Sequence, residues 1–191
     1  MSQAVLTESA VAYPPVVRAT DRYLRYDDFA PSFGLDEKPE RFPVYVKKID
    51  GALGATYFSP GMEPSRVEIN PETRNDDMDM VVAHEFDHVK SSPFLKYMDL
   101  AQPYATLIAE GYPGLRRYKF LKKTDEKEAM EFVGKYPYKE ALYLAKLIDN
   151  NYRGERGNGY AGFIKDVRNE KSICKVFSKF LEQYRETARL N

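Results

Sequence analysis

The chain has 191 residues, 43% hydrophobic and 30% charged, with 29 Lys+Arg balanced by 29 Asp+Glu. That length is one domain, or two closely packed halves, with enough apolar material for a core. The even charge gives no footprint for nucleic acid or an anionic membrane surface, and no apolar run is long enough to span a bilayer. A single cysteine, Cys174, excludes an internal disulfide framework. Together with a start (MSQAVLTESAVAYPPVV) that lacks the features of a secretory signal, it predicts a soluble, cytoplasmic protein.

Residues 1–17 are small, polar and interrupted by Pro14-Pro15, which reads as a flexible arm at the start of a single domain over 1–191. Val17 to Phe29 can form a short helix. Asp36 to Phe42 is charged and turn-like. Three extended candidates follow: Val44-Tyr45-Val46, Gly54 to Phe58 after the Asp50-Gly51 turn signal, and Val67 to Asn70. They predict a small, mostly antiparallel sheet. From Asp76 the pattern turns helical, with Asn75, Asp76, Asp77 and Asp79 supplying a cap and first-turn negative charge. This helix is expected to end near Lys90, before Ser91-Ser92-Pro93. A second helix covers Ala105 to Leu121, with a bend or boundary expected at Pro113. Further helices fall near 126–133, 139–150, 160–167 and 171–190, and Asn151 to Asn158 reads as a glycine-bearing connector. Sheet first and helices after is an α+β order.

Both histidines of the chain fall in His84-Glu85-Phe86-Asp87-His88, an H-E-x-x-H motif. On a helix, residues four apart share a face, so the two imidazoles can occupy two corners of a zinc tetrahedron. Glu85 then lies close enough to activate a metal-bound water without being a ligand. Phe86 is expected in the core, and Asp87 against solvent or Lys90. A catalytic zinc needs a third protein ligand, and no further histidine exists. Glu110, inside the apolar stretch from Tyr104 to Gly111, is the leading candidate, because a carboxylate on an apolar face is costly to bury unless paired or metal-bound. Asp99 is the runner-up, and a solvent-facing Glu110 remains open. Gly111 beside it would let two helix backbones approach closely.

An H-E-x-x-H helix followed about twenty residues later by a glutamate and a glycine, here Glu110-Gly111, resembles the gluzincin metallopeptidases. The resemblance implies one bound Zn2+, ligated by His84, His88 and Glu110. It implies hydrolysis of a peptide or protein substrate by a zinc-bound water that Glu85 activates. The stretch from Tyr136 through Tyr152 looks like the tyrosine-bearing helix of peptidase-MA-like members, which makes Tyr138 and Tyr136 candidates to stabilise the oxyanion. Tyr112 is a third. Thermolysin-like relatives have an aspartate four residues after the glutamate ligand, and Gly114 stands there instead. Such relatives also bind substrate as an added strand on a sheet edge, for which Gly54 to Tyr57 or Val67 to Asn70 could serve. Arg116-Arg117 reads as a solvated helix face and Cys174 as core. The alternatives to an active peptidase are a zincin-like zinc protein that binds a partner without proteolysis, and a latent peptidase covered by its own termini.

Overall fold

The computed structural model describes residues 4–35, 42–98 and 104–189. Asp99 and most of the 36–42 turn region lie outside them. The chain divides into two compact units, Met1–Pro31 with Glu37–Ser92, and Ser32–Asp36 with Pro93–Asn191.

In the first unit, β1 (Ala4–Leu6), β2 (Phe42–Val46), β3 (Gly54–Phe58) and β4 (Pro64–Ile69) form a sheet of order β1-β2-β4-β3. The sheet is mixed, which corrects the mostly antiparallel expectation. β1 runs parallel to β2 and β2 parallel to β4, and only β3 with β4 is antiparallel. The reason is the path of the chain: β3 goes to the edge and β4 returns between it and β2. Asn70 organises that excursion. Its buried amide donates to the Ile49 and Ala52 carbonyls, both at 2.9 Å, which fixes the loop that feeds β3. The expected arm also carries structure. Beyond β1 it forms α1 (Glu8–Val11), and the Thr7 hydroxyl donates to the Val44 carbonyl at 2.6 Å. Pro14-Pro15 then opens α2 (Pro14–Phe29), because proline costs nothing in the first helical turn, where its missing N–H has no partner to lose.

α3 (Asn75–Leu95) begins with Asp76 and Asp77 in its first turn, as the charge pattern predicts. It continues through Pro93 where an end near Lys90 is expected. The lost hydrogen bond falls in the last turn, and Phe94 and Leu95 are fully buried, which rewards the extension. The first unit's core is built from Val16, Tyr23 and Tyr26 of α2, Phe42 and Val44 of β2, Val67 and Ile69 of β4, and Met78, Val82 and Phe86 of α3.

In the second unit, α4 (Ala105–Thr124) runs unbroken through Pro113 and packs on α6 (Lys139–Asn151). Between them in sequence comes α5 (Glu126–Lys135), capped by the Asp125 carboxylate, which accepts from the Lys127 and Glu128 amides at 2.9 and 3.1 Å. The connector after α6 forms a short hairpin, β5 (Arg153–Gly154) with β6 (Gly157–Asn158), leading into α7 (Gly159–Glu170) and α8 (Ile173–Arg189). Tyr160 of α7 is fully buried among Phe33, Tyr112 and Phe163. Its hydroxyl meets no hydrogen-bond partner among the described residues. Burial first, and then the charge of Asp149, pushes its phenol far above the ordinary tyrosine value. Tyr160→Phe should therefore raise stability by about 1 kcal/mol in urea titrations, since it removes a buried hydroxyl at no cost in packing. The gain should widen above about pH 10, where an unfolded tyrosine ionises but the folded one keeps its proton, so the wild type alone loses that increment as pH rises. Equal or lower stability of the variant at neutral pH would show that the hydroxyl is satisfied. Among the described residues, no helix is long and apolar enough to cross a membrane.

Candidate metal centre

His84 and His88 lie one turn apart on α3 with their Nε2 atoms 3.0 Å from each other and their rings nearly perpendicular, at 88°. Two corners of a zinc tetrahedron with metal–nitrogen bonds of about 2.0–2.1 Å lie roughly 3.3 Å apart. The imidazoles therefore converge on the separation that a shared tetrahedral ion needs. His88 is buried and His84 half-buried, so the pair is not a loose surface feature. The two histidines lie in the first unit, and Glu110, the carboxylate that the sequence offers as third ligand, belongs to α4 of the second. Two neutral nitrogens and one carboxylate are a donor set that suits zinc and leaves a fourth position open.

Glu85 is buried and held against the edge strand β3. The Thr56 hydroxyl lies 2.8 Å from Glu85 Oε2 and 2.9 Å from the Glu85 carbonyl oxygen. Two residues earlier on the same strand face, Gly54 makes the room. A Cβ there would come within 2.8 Å of both Glu85 Cγ and Val81 Cγ1, and within 3.0 Å of Glu85 Oε1. Strand residues two apart point to one face, so a glycine and a threonine in that alternation form a cradle with a hydrogen-bonding arm. Of the two candidate edges, β3 is the outer strand of the sheet among the described residues, and β4 is paired on both sides.

The intervening positions of the motif anchor the helix. Phe86 packs edge-on against Tyr23 at 5.1 Å and Phe42 at 5.4 Å, as expected of a core residue. Asp87 departs from expectation. It is buried and accepts from the Tyr23 and Tyr26 hydroxyls of α2, both at 3.0 Å, while Lys90 pairs with Asp27 at 2.8 Å. α3 is covered on the α2 side as well as the sheet side, which a helix read alone does not disclose. Asp87→Ala should cost roughly 2–4 kcal/mol, because it strands two buried phenols, measured by urea denaturation of metal-free protein. A loss below about 0.5 kcal/mol would show that the hydroxyls find other acceptors.

In the second unit, Glu110 is half-buried on α4. Gly111 does what its position suggests: a Cβ there would lie 3.0 Å from the Ala141 carbonyl oxygen and 3.1 Å from Ala145 Cβ, so its absence lets α4 and α6 meet at backbone distance. Tyr136 is buried, and its hydroxyl donates to the Glu110 carbonyl oxygen at 2.9 Å. Tyr112 is also buried, with its hydroxyl 3.3 Å from the Ser32 carbonyl oxygen. Tyr138, at the start of α6, is 41% exposed. Arg116 is fully buried rather than solvated, while Arg117 lies over the Phe120 ring at 5.7 Å. Cys174 is half-buried on α8.

Sequence reasoning names Gly54 to Tyr57 only as a possible edge and misses Thr56 as the holder of Glu85. The signal was present in the Gly-x-Thr alternation, but no local rule says which helix faces it. No protein-family model, curated protein or solved structure matches the chain.

Proposed function

We propose that the protein is a zinc-dependent peptidase of gluzincin type, with His84, His88 and Glu110 as metal ligands and Glu85 as the general base. The observation that carries this reading is the α3 geometry: two Nε2 atoms 3.0 Å apart, and between them in sequence a carboxylate fixed by Thr56. A site that used zinc only for structure has no need of a tethered, buried base beside its histidines.

Zinc, when bound, lowers the pKa of water and polarises a carbonyl. The chain's own groups supply the rest. Glu85 takes a proton from the attacking water and returns it to the leaving nitrogen, so that one water and one peptide bond become a carboxylic acid and an amine. Thr56 keeps the Glu85 carboxylate in one place, which general-base catalysis requires because proton transfer demands hydrogen-bond reach. The outer edge of β3, which pairs with no further strand among the described residues, offers backbone donors and acceptors for an extended peptide, added as a further strand. In this reading Tyr138 is the oxyanion donor, supported by its exposure now that the hydroxyls of Tyr136 and Tyr112 have backbone acceptors.

Two measurements on one preparation test the proposal: elemental mass spectrometry of protein purified without chelator, and mass-spectrometric digestion of a mixed peptide pool. About one zinc per chain with chelator-sensitive cleavage is expected. Failure to take up zinc after adding it back overturns the metal reading. Zinc without chelator-sensitive cleavage leaves a zinc protein that is not a peptidase.

A further inference from the structure

The turn of α4 that carries Glu110 is held from two directions. Pro113 has no N–H to offer the Ala109 carbonyl, so the helix ladder is weakened beside Glu110. On one side Gly111 seats that turn against the backbone of α6 at Ala141. On the other, Tyr136 ends α5, where its amide donates to Phe132 at 2.8 Å and its ring lies 5.0 Å from that of Phe132. The same ring presses on Gly114, where a Cβ would come within 2.6 Å of Tyr136 Cε1. Its hydroxyl reaches the Glu110 carbonyl oxygen at 2.9 Å. Gly114 and Tyr136 are thus one device. The missing side chain admits the ring, and the ring brings a donor to the backbone of the candidate ligand.

We infer that Tyr136 is a positioning residue for the metal: by fixing the backbone of Glu110 it sets where that carboxylate points. The inference rests on Glu110 being a ligand, as proposed above. It accounts for glycine at 114, since any side chain there would displace the phenol. Outer contacts that orient a ligand commonly alter metal affinity by about 10–100-fold when removed, and a hydrogen bond to the ligand's own carbonyl is such a contact, made through the main chain.

The experiment is a zinc competition titration with a chromophoric chelator on the full chain, comparing wild type, Tyr136→Phe, Gly114→Ala and, as a control, the exposed Tyr143→Phe. Tyr136→Phe is expected to bind the same amount of zinc at saturation but with affinity weakened about 10–100-fold. Gly114→Ala keeps the hydroxyl but shifts the ring, and should weaken affinity in the same direction. Tyr143→Phe should bind as the wild type does. A merely structural Tyr136 would lower the melting temperature of the metal-free protein and leave the zinc dissociation constant unchanged, and that result overturns the inference. Should Tyr136→Phe fail to fold by circular dichroism, Gly114→Ala decides: unchanged affinity overturns the inference, weakened affinity supports it. If the wild type itself binds no zinc, the metal reading has failed first, a result distinct from zinc-loaded wild type and variants of equal affinity.

Discussion

Glu85→Gln should leave zinc bound and lower peptide hydrolysis by about 10²–10⁴-fold, the usual contribution of a positioned acid–base group. Glutamine matches glutamate in size, so it fits the same space against Gly54, and its amide oxygen can still accept from Thr56. What it cannot do is take up a proton. The substitution therefore separates proton transfer from folding and metal binding, provided zinc content and melting temperature are read on the same samples. Equal, chelator-insensitive cleavage by wild type and variant would mean a contaminating peptidase and would remove the enzyme reading. Equal, chelator-sensitive cleavage would leave a zinc hydrolase with a different base.

Replacement of His84, His88 or Glu110 by alanine should abolish stoichiometric zinc. The effect should exceed the roughly 10–100-fold typical of an outer contact, because each change deletes one of three bonds to the ion. A ligand that binds only the folded state adds about 4 kcal/mol of apparent stability at a thousandfold excess over its dissociation constant. In a chain of this size that is a rise of roughly 8–16 °C in melting temperature, which chelator removes from the wild type and each ligand variant should lack. Asp99→Ala is the informative companion, since Asp99 is the runner-up among the downstream carboxylates. Zinc retained by Glu110→Ala but lost by Asp99→Ala would reverse the assignment of the third ligand.

The parts of this architecture that follow from spacing were legible in the sequence. The H-E-x-x-H helix, its acidic start, the burial of Phe86 and the close approach at Gly111 all come from helical periodicity and residue size. Pairing sense did not. A strand as short as Ala4–Leu6 carries too little pattern to announce itself, and nothing local tells that β4 returns between β2 and β3. Prolines misled in a consistent way. Pro93 and Pro113 both sit inside helices because buried neighbours outweigh one missing hydrogen bond. Asp87 and Arg116 were read as solvent-facing because charge is normally outside, and only the tertiary arrangement buries them. The hydrogen bond of Tyr136 was not legible either, since a sequence names a tyrosine but not the carbonyl its hydroxyl will find.

Phe86 between Tyr23 and Phe42, and Asp87 beneath the hydroxyls of Tyr23 and Tyr26, grip α3 on the residues that separate the two histidines. A helix gripped in that way cannot roll about its own axis, so the angular phase of both imidazoles is set before any ion arrives. On the zinc reading proposed above, metal capture would need little loss of conformational entropy, and affinity would come from preorganisation more than from folding around the ion. On that reading the protein would differ from small zinc modules that are unfolded without metal. The amides of residues 82–89 should accordingly exchange with deuterium almost as slowly in chelator as in zinc, with the metal's influence confined to the side chains that meet it.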